Sequence, residues 1–431
     1  MRLLIIGAGP GGYETAVQAA GRGLEVTLVT EGPLGGTCLN EGCIPTKTLC
    51  HYAQLIDENR KAGINATIPF DFIQQRRLAV ISQLQSGIEM LLKNVNVIYG
   101  KACFKDTRTI TVNGQDVEAD AIIIATGSRS AMLPIPGADQ AITSKEILEL
   151  EQVPESLCVI GGGVIGLEFA SVFNSLGSQV TVLEYCPNLL PRFDVDLAKR
   201  LKQSLSRQGI RIELQAQVTA IDNGTVFYTQ KDKQFEVSAE KVLMAVGRRA
   251  NMDGLNLEAA GIGYTRRGIT VDSDFRTNVP GIYAVGDVTG GIMLAHAASA
   301  QGLHALNHIC GTPDRIRFDL IPAAVFTSPE VATIGLTEED CKQQGIEYRA
   351  LKSFYRANGK AVSMDQADGY CKILAGADGS LLGAHIMGAH SSDLIHELAV
   401  AMNAGATLQT LQQTIFAHPT LSETVLSALR Q

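Results

Sequence analysis

An α/β fold built on two strand-glycine-helix-strand units and closed by an α+β module is what this sequence predicts, and three observations carry the prediction. The aliphatic run 3–6 meets Gly7-Ala8-Gly9-Pro10-Gly11-Gly12, which opens a helix-like segment through Ala20, and a second strand follows at Val26 to Val29. The same order returns as a strand from Leu157 to Ile160, then Gly161-Gly162-Gly163-Val164-Ile165-Gly166, a helix through Leu176 and a strand from Val180 to Leu183. From Ile321 the remaining hundred or so residues read as strand, helix, strands and helices, without a glycine loop. A single Gly-x-Gly-x-x-Gly is weak, but each of these has its strand before and its helix after. In that context Gly7, Gly9 and Gly12, and again Gly161, Gly163 and Gly166, let backbone and helix N-terminus approach a pyrophosphate. Two such Rossmann-like units in one chain imply two dinucleotides.

Composition limits what else the chain can be. Its 431 residues allow two or three domains with buried cores. A hydrophobic content of 45%, an aromatic content of 5% and no Trp fit an aliphatic α/β protein. The net charge of −8 gives no electrostatic reason to expect nucleic acid or an anionic membrane. No apolar run approaches the roughly 20 residues that span a bilayer. Nine cysteines are too sparse for a secreted disulfide framework, and the odd number leaves at least one unpaired. A reducing cytoplasm is therefore expected, with no room for a signal peptide before the first strand. No metal site is expected.

Taken in order, the first unit ends its second strand at Thr30 and Glu31. An acidic residue at that strand end holds the adenine ribose in such folds; Glu31 stands one place late, and either it reaches the ribose after a local shift or Thr30 makes a weaker contact, Glu31 being favoured. Next comes Gly35-Gly36-Thr37-Cys38-Leu39-Asn40-Glu41-Gly42-Cys43-Ile44-Pro45-Thr46-Lys47. On an ideal helix a rise of about 1.5 Å per residue puts the Cys38 and Cys43 Cα atoms roughly 7.5 Å apart, beyond disulfide reach. Two readings stay open: incidental thiols, or a strained and easily reduced bridge in a distorted first turn, helped by Pro45, which cannot donate a backbone hydrogen bond. Residues 48–60 and Phe72 to Lys93 have helical patterns, and Asn96 to Phe104 reads as one strand. Ile122-Ile123-Ile124-Ala125-Thr126-Gly127 is a buried strand ending in a tight turn.

In the second unit the strand ends in Glu184, eighteen residues beyond Gly166. Its carboxylate can accept from both ribose hydroxyls and would repel a 2′-phosphate, which argues for NAD over NADP. Glu168 is an acid inside an apolar helix. Residues 210–246 alternate like an antiparallel meander and end in Ala245-Val246-Gly247-Arg248-Arg249-Ala250-Asn251. A further strand, Ile282-Tyr283-Ala284-Val285, leads through Gly286 to Asp287, and Met293-Leu294-Ala295-His296 starts a helix.

These motifs, in this order from Gly7 to Glu423, resemble the flavin-dependent pyridine nucleotide:disulfide oxidoreductases. The resemblance implies that Cys38 and Cys43 form a redox-active disulfide and that the cofactors are FAD and NAD. It places Gly36, Thr37, Lys47, the backbone at Ala102, Thr126, Gly127, Asp287 and Met293 to His296 against FAD, the last by backbone more than imidazole. Val218 and Gly247 fall beside NAD. Glu168 matches a position that pairs with Lys47. The segment between the cysteines and Thr126 is shorter than in typical relatives. Phe326-Thr327-Ser328-Pro329-Glu330-Val331-Ala332 and Ala417-His418-Pro419-Thr420-Leu421-Ser422-Glu423 resemble the family's dimerisation domain. His418 becomes the candidate base, with Glu423 fixing its tautomer. The remaining histidines and cysteines are expected to pack.

The implied organisation is an FAD-binding domain at 1–148, an NAD-binding domain at 149–250, a second FAD/central segment at 251–318 and a dimerisation domain at 319–431, in a homodimer. Leu39-Asn40, Met293 to His296 and the run ending in Glu423 are most similar to the branch that oxidises protein-bound dihydrolipoamide, the partner being a lipoyl-bearing protein of a 2-oxoacid dehydrogenase or glycine cleavage complex. Other branches fit less well: Tyr185 and Cys186 follow Glu184 where NADP enzymes carry basic residues, and the tail has no second cysteine pair. A glutathione-type reductase or diaphorase is the alternative. A retained redox sensor or structural subunit would be expected to have lost the cysteine pair or His418.

Overall fold

Short aliphatic runs between glycine turns become buried strands, and their order in the sheets fixes where the loops converge. The computed structural model describes residues 1–64 and 67–431. They divide into one unit of Met1–Thr48, Gln74–Ala131 and Gly247–Ile316 and another of Leu49–Ile73, Met132–Val246 and Arg317–Gln431.

In the first unit five parallel strands lie in the order Ile282–Ala284, Ala121–Ile124, Arg2–Ile6, Glu25–Thr30, Asn96–Tyr99. Leu3, Ile5, Leu28 and Ile123 are wholly buried at its centre, each stabilising the fold by about 1.5–3 kcal/mol. The helix Pro10–Gly21 carries Pro at its first turn, where the missing N–H would have had no intrahelical partner. It packs closely on the helix Ala295–Ile309: a Cβ on Gly302 would meet Thr15 Oγ1 at 2.0 Å. The expected strand from Asn96 to Phe104 is two strands. It breaks at Gly100, where a Cβ would lie 2.5 Å from Asn113 Oδ1. Ala102–Phe104 then joins Thr109–Val112 and Gln115–Glu118 in a separate antiparallel sheet. Ser128–Ser130 pairs with Arg248–Ala250.

The second unit has a four-stranded parallel sheet in the order Arg211–Leu214, Gln179–Glu184, Ser156–Ile160, Lys241–Met244. The expected meander over 210–246 is therefore shorter. Its outer strands join the parallel sheet, and only Gln217–Asp222, Thr225–Gln230 and Lys233–Ser238 form the antiparallel ribbon. An antiparallel sheet of Ala323–Val325, Val331–Gly335, Leu381–Met387, Tyr370–Gly376 and Tyr348–Phe354 forms the C-terminal part. The helices Ser391–Asn403 and Glu423–Leu429 bury Ile395, Leu398, Val425 and Leu429 in the core they share with this sheet. Lys372, in its middle and 1% exposed, reaches Asp194 and Glu338 at 2.6 Å each. Asp194 caps the helix Val195–Arg207, so a buried ion pair ties that helix to the sheet.

Candidate active site

The two glycine loops are built alike. Gly7 has φ +108°, and a Cβ there would sit 2.3 Å from Ala125 O; Gly161 has φ +113°, and its Cβ would sit 2.4 Å from Ala245 O. Gly12 packs on Gly7 O and Gly166 on Gly161 O, at 1.8 and 2.1 Å from the hypothetical Cβ. Only the middle glycines, Gly9 and Gly163, face open space. Each loop thus keeps one side clear of protein atoms at the head of its helix, Pro10–Gly21 or Val164–Leu176. The shape and the aligned N–H groups fit a dinucleotide pyrophosphate at both.

The cysteine stretch docks on the first loop. Gly35, at φ +88°, donates its N–H to Ala8 O at 2.9 Å. A Cβ on Gly36 would come within 2.7 Å of Gly9 Cα. Cys38 lies in the short helix Gly36–Asn40 and Cys43 opens the helix Cys43–Lys61. The expected distorted first turn is therefore a break between two helices at Glu41 and Gly42, which frees the pair from helical spacing. Pro45 lies in the first turn of the second helix, before the first bond of its ladder, Thr46 N to Gly42 O.

Cys38 and Cys43 are thiols hydrogen-bonded to each other. That bond, and then burial, pushes the Cys38 thiol upward in pKa, while the Lys47 ammonium pulls it down. Asn40 fixes the loop by donating to Leu34 O at 3.0 Å and Gly36 O at 2.8 Å. Thr37 is exposed and Lys47 half-buried.

Across the same unit Thr126 Oγ1 donates to Asn251 O at 2.6 Å, Gly127 takes φ +72° and Ala102 is buried. Asp287 accepts from Ser128 Oγ. Met293, Leu294 and Ala295 are half-buried and His296 exposed at the head of the helix Ala295–Ile309. Gly247 has φ +116° and faces open space.

In the second unit both Glu184 oxygens are engaged: Gly162 N–H donates at 2.5 Å and Cys186 N–H at 2.6 Å. Val218 is buried next to a bulge in the antiparallel ribbon. Glu168, 3% exposed, accepts from Phe326 N–H at 3.0 Å. His418 Nδ1 contacts Glu423 Oε1 at 2.9 Å and Oε2 at 3.2 Å, and Thr420 N–H donates to Oε2 at 3.0 Å. Those two partners, the Thr420 N–H first, hold the Glu423 carboxyl below its usual pKa. A carboxylate only accepts, so Nδ1 carries the proton and the Nε2 lone pair is left for chemistry. The His418 side chain is 79% exposed.

Comparison with known proteins decides the family. Residues 1–302 match the pyridine nucleotide-disulphide oxidoreductase family and residues 321–429 its dimerisation domain. This chain belongs to the pyridine nucleotide-disulphide oxidoreductases. It is 39% identical to a dihydrolipoyl dehydrogenase of Bacillus subtilis, covering 100% of this chain and 98% of that one. A dihydrolipoyl dehydrogenase of Haloferax volcanii is 40% identical over 99% of this chain and 95% of its own. Among solved structures, the HOCl-induced flavoprotein disulfide reductase RclA of Escherichia coli superposes with a TM-score of 0.90 at 31% identity, covering 100% and 99% of the two chains. LpdA of Mycobacterium tuberculosis superposes at 0.91 with 30% identity, over 100% and 99%.

Several side chains that hold the sequence-predicted residues in place carry no local sequence signal. Arg248, 16% exposed, donates through Nε to Ser128 Oγ at 2.7 Å and through Nη2 to Ser128 O at 2.8 Å, which sets the hydroxyl on Asp287. Burial lowers the pKa of this guanidinium, and the Asp287 carboxylate opposes that shift. Gln301, buried, accepts from Gly286 N–H at 2.7 Å beside Asp287. Gln85 donates to Asn40 Oδ1 at 2.6 Å. Ser128 and Arg248 are 120 residues apart and Gln85 and Asn40 are 45 apart, so no local pattern signals either pair.

Proposed function

We propose that this enzyme oxidises protein-bound dihydrolipoamide to lipoamide and reduces NAD, using the Cys38–Cys43 pair. The observation that carries the reading is the hydrogen-bonded dithiol held by Gly35 and Gly36 directly on the first glycine loop, in a chain whose His418 is oriented by Glu423. The open faces of the two loops fit FAD in the first unit and NAD in the second. Bound FAD would supply the link between a two-thiol reductant and hydride transfer to the nicotinamide.

The chain's own groups do the following. In the oxidised enzyme Cys38 and Cys43 share a disulfide. His418 Nε2 takes a proton from one substrate thiol, and the thiolate attacks Cys38, breaking that bond and leaving Cys43 as thiolate. The protonated His418 then gives its proton to Cys38 as that sulfur leaves and takes the proton of the second substrate thiol, which closes the lipoamide ring. Lys47 offsets the negative charge on the sulfurs. Glu423 keeps the imidazole in the required tautomer and stabilises it when protonated. Ser128 and Arg248 hold Asp287 toward the ribityl chain of FAD, and Glu184 takes the adenine ribose of NAD.

The domain limits 1–148, 149–250, 251–318 and 319–431 are proposed as the division of these tasks. We place the enzyme in the cytoplasm as a homodimer. Each site there combines Cys38 and Cys43 of one chain with His418 of the partner subunit, on a lipoyl-bearing protein of a 2-oxoacid dehydrogenase or glycine cleavage complex. The decisive assay compares dihydrolipoamide plus NAD with oxidised glutathione plus NADPH. Turnover confined to the first supports the reading, and turnover confined to the second overturns it. Hybrid dimers of Cys43→Ala and His418→Ala chains test the shared site, since one of their two sites regains activity if the base comes from the partner.

A further inference from the structure

The register of the two parallel sheets assigns equivalent places in the two dinucleotide loops. Ile6 pairs with Val29 as Ile160 pairs with Leu183. Gly7 N–H donates to Val29 O at 2.7 Å as Gly161 N–H donates to Leu183 O at 2.9 Å. The next residue of the second strand is Thr30 in the first unit and Glu184 in the second. Its carbonyl is taken in the same way in both: Gly100 N–H donates to Thr30 O and Ala216 N–H to Glu184 O, each at 2.9 Å. Thr30, 6% exposed, is therefore the counterpart of Glu184, and Glu31 lies one residue beyond, exposed.

The exchange of side chain has a consequence at the loop. Glu184 satisfies the N–H of Gly162, the second residue of its glycine loop. The equivalent N–H in the first unit belongs to Ala8, which is 3% exposed. Among the described residues no acceptor takes it. Thr30 Oγ1 is turned the other way as a donor, to Gly32 O at 3.0 Å, so its hydroxyl hydrogen is committed and its lone pairs remain. A buried N–H without a partner is destabilising, and a ligand hydroxyl oxygen at the strand end would satisfy it.

Resting on the reading of the first unit as the FAD site, we infer that the adenosine ribose of FAD is held by a neutral pair, Thr30 Oγ1 as acceptor and Ala8 N–H as donor, in place of a carboxylate. Glu31 has no share in it. The NAD loop is already closed by its own carboxylate, whereas the FAD loop is completed by its ligand.

The test measures FAD release from the full-length protein by recovery of flavin fluorescence after dilution. Native, Thr30→Val and Glu31→Ala proteins are each reconstituted with FAD and with an analogue whose adenosine lacks both ribose hydroxyls. Losing one neutral hydrogen bond predicts about three- to tenfold faster FAD release for Thr30→Val. With the analogue, Thr30→Val and native protein release at the same rate. Glu31→Ala matches native protein with both ligands. A Glu31→Ala acceleration that vanishes with the analogue gives the ribose to Glu31 and overturns the inference. A Thr30→Val acceleration that persists undiminished with the analogue makes Thr30 a packing residue and overturns it equally. Native protein that neither retains nor takes up flavin overturns the flavoprotein reading itself, and this inference with it.

Discussion

The loop Gly7 to Gly12 and the loop Gly161 to Gly166 share one backbone solution and differ in what is built on it. In both, the first glycine is pressed against the end of a neighbouring strand, the last against the first, and the middle one faces outward. The second loop is closed by Glu184, and its helix buries Glu168 against the backbone of Phe326. The first loop has Thr30 at the strand end and the redox stretch docked on Ala8 and Gly9. The first and last glycines of each loop are held by contacts of about 2 Å that no side chain survives, while the residue at the strand end differs between the two loops.

The largest effect should come from the shared part. Gly12→Ala and Gly166→Ala each force a Cβ to about 2 Å from a carbonyl oxygen, an overpacking that should cost about 3 kcal/mol or more. Thermal unfolding should fall for both, with flavin content lost first in Gly12→Ala and NADH binding lost first in Gly166→Ala. Equal loss of both ligands in either variant would break the assignment of one dinucleotide to each loop.

The strand-end difference is sharpened by Glu184→Ala, which removes the acceptor of Gly162 and Cys186 N–H. NADH affinity, followed by fluorescence titration, should weaken by about 1–3 kcal/mol while flavin content stays native. An unchanged NADH affinity would mean that Glu184 only closes its loop.

Acid should separate the two units. His385 in the second unit is completely buried, bonded to Thr333 Oγ1 at 2.6 Å and Leu336 O at 3.1 Å. Burial lowers its pKa from the ordinary value, Lys372 adds to the shift, and Asp194 and Glu338 oppose it. Below about pH 6.5 the unfolded chain binds a proton that the folded chain refuses, so stability falls with pH by at most about 1.4 kcal/mol per unit until the lowered folded pKa is reached. Hydrogen exchange between pH 7 and 5 should show opening of the strand Leu381–Met387 before Arg2–Ile6, and His385→Gln should reduce the difference. Equal loss of protection in both strands would rule this out.

The smallest effect on folding should follow Gly9→Ala and Gly163→Ala, whose added methyls meet no atom within 4 Å. Their unfolding free energies should stay within about 0.5 kcal/mol of the native value. Calorimetry should nevertheless find weaker FAD binding for the first and weaker NAD binding for the second, since the methyl takes pyrophosphate space.

The sequence by itself determined the two dinucleotide units, the cysteine pair and the His418–Glu423 dyad, because each is written within a few dozen residues. A glycine loop is announced by its own strand and helix, and His418 and Glu423 are five residues apart. Tertiary structure alone decided matters that depend on partners distant in the chain. Gly100 broke an apolar run into strands of two sheets, and the ends of the expected meander were taken into the parallel sheet as Arg211–Leu214 and Lys241–Met244. Strand identity rests on hydrogen-bond partners, and an alternating pattern does not say which sheet will supply them. The half-buried Ser128, Arg248 and Asp287 cluster has the same origin, since its members meet only after the sheet has formed. The choice between Thr30 and Glu31 is likewise one of register: adjacent residues at a strand end point to opposite faces, and only pairing with Arg2–Ile6 shows which of them lies beside the loop.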